Sequence, residues 1–315
     1  MRILALDGGG IKGAFTASVL AALETELERP VVDHFDLITG TSTGGILAIG
    51  LGMGFSASEL RDFYIDRGGE IFGVTSVFGR LGFLKQLFAP KHSSAPLEAA
   101  LIDILGERKF GESLSRLAIP TYDAVAGRIF LMKTAHNPRF VHDVGALALD
   151  VAMATAAAPT YFEAKAFPAH QGASYVDGGV WANCPALVGL TEAVAFLGAK
   201  AEKVDILSIG TTSSPFNIAD ERRSGALQWN MGLINLMFEA QVETARAQAS
   251  LLAGGFHRID ASVASGRFGL DKADAMTISE LVTLGRGEAV KKENLDVVRS
   301  RFLNGTPASP FMPYV

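Results

Sequence analysis

Two stretches near the beginning of the chain each place a short apolar run directly before a glycine-rich turn and a helical pattern. They are LALDGGGIKGAF at residues 4–15 and FDLITGTSTGGILAIG at residues 35–50. A strand that leads through a tight turn into a helix, and does so twice in succession, is typical of a parallel sheet with helices packed against it. This pattern limits the fold more strongly than any other feature of the sequence.

The alternation of apolar runs and helical periodicity continues along the chain. We predict strands at residues 3–6, 35–39, 119–125, 129–133 and 204–209. We predict helices at residues 16–27, 45–53, 57–66, 96–105, 147–156, 185–197 and 227–252. Ala126 and Gly127 separate two apolar runs within residues 122–133, which indicates an antiparallel hairpin. Together these elements predict an α/β fold, a three-layer α/β/α sandwich around a mostly parallel central sheet.

The composition is that of a folded chain with one large core. Apolar residues make up 49% of the 315 residues, which is enough to bury such a core. The chain shows no internal repeat, no low-complexity linker and no abrupt change in composition. We therefore predict a single domain over residues 1–315, with its motifs within residues 1–210 and a C-terminal helical part at residues 227–303.

Charge and cysteine content exclude some partners and compartments. The net charge of −5 gives no electrostatic reason to expect duplex nucleic acid or an anionic membrane as a purely charge-driven partner. Cys184 is the only cysteine, so no internal disulfide can form, and the apolar run MRIL is too short for a secretory signal. These features predict a cytoplasmic protein and leave open a peripheral contact at the inner face of the membrane.

The glycines of the first stretch fit two kinds of site. The spacing of Gly8, Gly10 and Gly13 matches the fingerprint of dinucleotide-binding proteins, but such a site also needs an acidic side chain at the end of the second strand. The sequence there is Gly-Thr-Ser at residues 40–42, and the nearest aspartates precede the strand. The glycines therefore favour a second use, as backbone donors to another anion.

Ser42 stands in the turn between the second strand and the helix that follows it. In a nucleophile elbow, glycines on both sides of the serine relieve crowding and hold its hydroxyl above the edge of the sheet. Neighbouring strands would bring the first turn beside this one, so that the N–H groups of Gly8, Gly9 and Gly10 face an oxygen near Ser42. A tetrahedral oxyanion needs such donors, each worth about 3 kcal/mol of barrier. The alternative is a glycine-rich turn whose serine only caps the helix.

A serine hydroxyl needs a base before it can act as a nucleophile. None of the six histidines has a distinctive local motif, although His257 would preserve the Ser, acid, His order of an α/β-hydrolase. Asp177 is more informative because it follows the apolar SYV and precedes Gly178 and Gly179, which allow close approach to the carboxylate. The competing interpretation of Asp177 is an ordinary Asp-Gly turn.

Four motifs in this order resemble the patatin family of lipid acyl hydrolases. They are DGGGIKG at residues 7–13, GTSTGG at 40–45, ATAAAPTYF at 154–162 and DGGVWAN at 177–183. The resemblance implies that Ser42 is the nucleophile, that Asp177 is its partner in a Ser-Asp dyad and that Gly8, Gly9 and Gly10 form the oxyanion hole. It implies no metal and no cofactor.

The chain departs from the family pattern at three positions. Met153 and Ala156 stand where the family usually has an arginine and a serine, and Cys184 stands where a second asparagine is common. None of these is a proposed catalytic position, so the departures bear on local packing and not on the reaction class.

The resemblance implies a phospholipase A type of activity on membrane phospholipids, through an acyl-serine intermediate. The chain is also similar to the patatin-like effectors that cyclic nucleotides switch on in phage defence, which would add a cyclic nucleotide activator. A homo-oligomer is left open. The alternatives to the acyl hydrolase are a catalytically silent lipid-binding module and, less favoured, a nucleotide-binding oxidoreductase.

Three further features have two interpretations each. Residues 71–91 carry phenylalanines and leucines among basic residues, and we favour packing on the core over a lid that docks on lipid. Lys12 either supports the glycine loop, contacts an anionic head group or, most simply, is a solvated lysine at a helix end. We expect the core, and not a lipid surface, to cover the helical face formed by Trp229, Leu233, Met237 and Ala240.

Overall fold

A computed structural model of the protein describes residues 1–73, 92–214, 226–303 and 307–314, with the backbone alone for residues 226–235. Eight strands in these residues form one sheet. They are β1 (Arg2–Leu6), β2 (Leu37–Gly40), β3 (Leu117–Asp123), β4 (Arg128–Lys133), β5 (Lys165–Ala166), β6 (Ser174–Asp177), β7 (Asp205–Ile209) and β8 (Gly255–Ile259).

The sheet is mostly parallel in its centre and antiparallel at one side. The strand order is β5-β6-β3-β2-β1-β7-β8, with β4 paired to β3. The pairs that link β3, β2, β1, β7 and β8 are parallel, whereas β3 runs antiparallel to β4 and β6, and β5 runs antiparallel to β6. This topology confirms the predicted mostly parallel sheet. It also brings the carboxyl ends of β1, β2 and β7 to one edge.

Ten α-helices lie within the described residues. They are α1 (Gly13–Leu27), α2 (Thr43–Gly52), α3 (Ala57–Phe72), α4 (Ala95–Leu105), α5 (Ala148–Ala156), α6 (Gly179–Ala182), α7 (Ala186–Phe196), α8 (Ala226–Leu252), α9 (Ala275–Ala289) and α10 (Lys292–Val297). A 3₁₀ turn at Gly10–Lys12 joins the glycine loop to α1.

Helices cover both faces of the sheet, because alternate side chains of a strand point to opposite sides. Leu4 and Leu6 of β1 belong to a core cluster with apolar residues of α1, α2, α3 and α9. Ile3 and Ala5 of the same strand belong to a second cluster with residues of α7 and α8. The three-layer α/β/α arrangement is therefore confirmed.

The predicted elements are present, with bounds that differ by a few residues. All five predicted strands and all seven predicted helices have a counterpart, and α3 is longer than predicted. The hairpin of β3 and β4 turns where Asp123 Oδ1 accepts the N–H groups of Val125 and Ala126, at 3.1 and 2.9 Å. Neither β8 nor α9 is among the predicted elements.

The orientation of α8 differs from the prediction. Met237 is 64% exposed and Ala240 is exposed, while the side chains of Trp229 and Leu233 lie outside the described residues. The helix packs on the second core cluster through Val242, Ala245 and Ala249. Within the side chains that the structure describes, Met237 and Ala240 therefore do not face the core as predicted.

Two further findings concern membrane-spanning helices and the segment at residues 71–91. Within the described part of the chain, no helix combines the length and apolar character needed to cross a membrane. The predicted packed segment at residues 71–91 begins at the end of α3, where Ile71 and Phe72 are buried. Residues 74–91 lie outside those that the structure describes.

Candidate active site

Ser42 lies in a strained turn between β2 and α2. Its backbone has φ 56° and ψ −123°, a conformation that costs a residue with a side chain about 1–3 kcal/mol and is typical of a nucleophile elbow. A Cβ atom at Gly40 would lie 2.1 Å from the carbonyl oxygen of Gly44, and one at Gly44 would lie 2.2 Å from that of Leu6. Only glycine fits at either position, so the turn has the crowding that the elbow interpretation predicts.

The surroundings of Ser42 argue against a simple helix cap. Ser42 occupies the N-cap position of α2, but its side chain makes no capping hydrogen bond. Its backbone N–H donates to Thr155 Oγ1 at 3.1 Å, and the Thr155 hydroxyl donates to the carbonyl oxygen of Pro120 at 2.8 Å. Sequence reasoning gave Thr155 no role. Its only signal was its place within the motif at residues 154–162.

Asp177 is the last residue of β6 and is 5% exposed. Its Oδ1 accepts the N–H of Gly179 at 2.7 Å, so the Asp-Gly turn of the competing interpretation is present and holds the carboxylate. The Ser42 hydroxyl is close enough to the same carboxylate to lower the pKa of Asp177. Burial is the larger effect and raises this pKa from 3.8 to about 6, although the Ser42 hydroxyl and the Gly179 amide lower it. A hydroxyl therefore lies near a carboxylate of increased basicity.

The glycine loop lies beside this pair. A Cβ atom at Gly8 would lie 3.2 Å from Ser42 Cβ and 2.4 Å from Asn183 Oδ1. The N–H of Gly8 donates to the carbonyl oxygen of Asn183 at 3.0 Å, so it is not free to bind an oxyanion. Among the described residues, the N–H groups of Gly9 and Gly10 have no acceptor. The three predicted donors thus differ: Gly8 gives space beside the serine, whereas the amides of Gly9 and Gly10 are unbound within the described part of the chain.

The histidines make other contacts. His257 lies on β8, and its Nε2 is 2.9 Å from Oδ1 of Asn294 in α10. His136 pairs with Glu192 and His92 with Asp271. Among the described residues, no histidine makes a hydrogen bond to Ser42 or Asp177.

The acidic residue of a dinucleotide site is missing at the expected position. β2 ends at Gly40, and Asp36 precedes that strand and accepts the N–H of Arg2 at 2.7 Å. Lys12 turns back onto the loop that follows β7, where its Nζ donates to the carbonyl oxygen of Thr212 at 3.2 Å. Burial lowers the pKa of Lys12. Lys12 supports the glycine loop in this structure, in place of the solvated lysine that was the simplest expectation.

An α/β sandwich with a strained serine turn, a buried carboxylate and a glycine-rich loop at one edge of its sheet defines a class of hydrolases. Residues 4–190 match the family model of the patatin-like phospholipases, and the chain belongs to this family.

Two curated relatives and one solved structure are similar to this chain. The cGAMP-activated phospholipase of Pseudomonas aeruginosa strain BWHPSA011 / Pa011 is 40% identical to this chain, over 76% of the chain and 72% of that protein. A protein of the same name from Vibrio cholerae serotype O1 is 36% identical, over 93% and 91%. The crystal structure of VipD from Legionella pneumophila superposes with a TM-score of 0.47 at 13% identity, over 94% of this chain and 66% of that one.

Proposed function

We propose that this protein is a lipid acyl hydrolase of the phospholipase A type, which cleaves fatty-acyl esters of membrane phospholipids with a Ser42–Asp177 dyad. The observation that carries the proposal is the proximity of the Ser42 hydroxyl to the buried Asp177 carboxylate, whose pKa is raised, beside a loop in which the amides of Gly9 and Gly10 have no acceptor among the described residues. Membership of the patatin-like phospholipases supports it. Such a substrate lies in a bilayer, so the enzyme works in peripheral contact with a membrane.

The reaction follows from the positions of these groups. Asp177 takes the proton of Ser42 as Oγ attacks the ester carbonyl, and the N–H groups of Gly9 and Gly10 bind the negative oxygen of the tetrahedral intermediate. The intermediate collapses to an acyl-serine, and Asp177 gives its proton to the departing alcohol. Asp177 then removes a proton from water, which attacks the acyl-serine. Asp177 returns this proton to Oγ of Ser42 as the fatty acid departs, and the starting dyad is restored. No imidazole takes part.

The activator is proposed to be a cyclic nucleotide, because the relatives from Pseudomonas aeruginosa and Vibrio cholerae are named cGAMP-activated phospholipases. We expect cGAMP to increase fatty-acid release from phospholipid vesicles by about 5- to 150-fold, the usual range of coupling between two sites. Mass spectrometry of the released lipids measures the effect and identifies the cleaved ester.

The Ser42→Ala variant with cGAMP is the matched control for this assay. A fluorophosphonate that labels the wild-type protein and not the variant supports the acyl-serine. Equal release with and without cGAMP would contradict the activation, and release that survives in the variant would contradict the dyad. A lipid-binding module without activity would release nothing and resist the label, and an oxidoreductase would carry a nucleotide cofactor that absorbs light.

The pKa of Asp177 predicts how the rate depends on pH. Only the carboxylate form can accept the serine proton, so kcat/KM should fall below a pH of about 6 and by about tenfold for each further unit. An imidazole base would give an inflection nearer its usual value of about 6.5, and substitution of that histidine would remove it. The measurement is the hydrolysis of a soluble ester between roughly pH 4.5 and 8, the range around that pKa. An inflection that disappears in a His257→Asn variant would contradict the assignment.

A further inference from the structure

Arg258 forms a buried ion cluster beneath the glycine loop. Its Nη2 donates to Asp7 Oδ2 at 2.7 Å and to Asp260 Oδ2 at 2.8 Å, and its Nη1 donates to Ser208 Oγ at 2.8 Å. The side chains of Arg258 and Asp7 are only 9% and 3% exposed. Nothing in the reaction described above uses this arginine.

The sheet brings Arg258 to this place. Ala5 of β1 pairs with Ser208 of β7, and Ser208 pairs with Arg258 of β8, so these three side chains share one face. Asp7 follows Ala5 by two residues and therefore lies on the same face, at the point where β1 ends and the glycine loop begins. Arg258 thus reaches across β7 to the first residue of the loop.

The second carboxylate of the cluster holds the turn after β7. Asp260 Oδ1 accepts the N–H of Thr212 at 2.9 Å, and the carbonyl oxygen of Thr212 accepts Lys12 Nζ at 3.2 Å. Thr212 has φ 79°, a left-handed conformation that is strained for a β-branched residue. The strained turn is therefore fixed from both sides by charged groups, and Arg258 holds one of them.

The turn after β7 also fixes one peptide of the glycine loop. The hydroxyl of Thr211 donates to the carbonyl oxygen of Gly8 at 3.1 Å, and the Thr211 side chain packs against Gly9, where a Cβ atom would lie 2.4 Å from Thr211 Oγ1. A trans peptide is planar, with its C=O and N–H in opposite directions. Fixing the Gly8 carbonyl therefore fixes the direction of the Gly9 N–H, which is one of the two free donors.

We propose that Arg258 is a positioning residue of the active site, which acts through Asp7, Asp260 and Thr211 to orient the Gly9 N–H toward the oxyanion. The inference rests on the proposed function, because it assigns a role within the same reaction. A donor that is misplaced by about 1 Å stabilises the transition state less and leaves the binding of the substrate unchanged. A defect in its position therefore lowers kcat and does not change KM.

Two variants test this role with the full-length protein, assayed with vesicles and cGAMP. Thr211→Val removes the hydroxyl and keeps the shape, and Arg258→Gln removes the charge. We expect each to lower kcat by about 10- to 100-fold with KM unchanged. Because both act on one peptide, the double variant should lose no more than the more damaging single variant.

Glu192→Gln is the matched control. Glu192 is 1% exposed and pairs with Lys133 at 2.6 Å and His136 at 2.9 Å, and among the described residues it has no hydrogen bond or ion pair to the glycine loop. We expect this variant to lower the melting temperature and to keep the wild-type kcat for the folded protein.

The outcomes separate this inference from the proposed function. A wild-type protein that releases no fatty acid and takes no fluorophosphonate label contradicts the proposed function. An active wild type with an unchanged kcat in Thr211→Val overturns the positioning role, and does so even if Arg258→Gln fails to fold. Losses that multiply in the double variant overturn it as well.

Discussion

Replacement of Ser42 by glycine is expected to abolish fatty-acid release and to leave a more stable protein than replacement by alanine. Both variants lack the nucleophile, so release should fall by at least about 10⁴-fold. The two differ in backbone freedom. Any side chain at φ 56° and ψ −123° costs about 1–3 kcal/mol, and glycine avoids this cost at the expense of about 0.5–1 kcal/mol of unfolded-state entropy. We therefore expect the glycine variant to be more stable by about 1 kcal/mol.

Chemical denaturation of the two variants measures this difference. A glycine variant that is equally stable or less stable would show that the turn stores no strain, which would contradict the elbow. Fatty-acid release above background in both variants would mean that another group is the nucleophile. The comparison therefore tests the geometry and the chemistry of Ser42 separately.

Replacement of Asp177 by asparagine should also abolish release, because an amide cannot take the serine proton. Most substitutions of buried residues lower the free energy of unfolding, whereas this one should raise it at neutral pH. The folded protein raises the pKa of Asp177 from 3.8 to about 6, so the folded state binds this proton more tightly than the unfolded state. The stabilisation of the folded state by this proton is fully present below a pH of about 4 and is lost as the pH rises through about 6. At neutral pH the loss is about 3 kcal/mol.

Asparagine carries no charge and keeps an oxygen that can accept the N–H of Gly179. We therefore expect the variant to unfold about 2–5 °C above the wild type at pH 8 and at nearly the same temperature at pH 4. Thermal unfolding at both values measures this. A variant that melts at a lower temperature than the wild type at pH 8 would show that the carboxylate stabilises the fold. This result would contradict a pKa of Asp177 that is raised by burial.

Much of the fold and site could be predicted because it depends on local patterns. A strand, a glycine-rich turn and a helix follow one another in the chain, so the elbow at Ser42 and the loop at Gly8 to Gly10 are visible as short motifs. β8 was not predicted because its centre is His257 and Arg258, and a buried cation paired with two distant aspartates looks like a polar loop in the sequence.

The features that were not predicted correctly depend on residues that are far apart in the sequence. The amide of Gly8 is bound to Asn183, 175 residues later, and no local pattern shows which of three neighbouring amides stays free. Met237 was predicted to face the core because of its size and hydropathy, but it is exposed, and α8 packs on the second core cluster through Val242, Ala245 and Ala249. The hydrogen bond from the Ser42 amide to Thr155 could not be predicted either, because the two residues are 113 positions apart in the sequence.

The ion pair between Asp7 and Arg258 joins residues that are 251 positions apart. β1 lies in the middle of the sheet, and its neighbour β7 begins only at Asp205. The ribosome therefore makes the serine turn early and the strands that support the glycine loop late, and non-local pairing of this kind slows folding. In a chain still in synthesis, the serine turn is therefore present before the strands that hold the glycine loop.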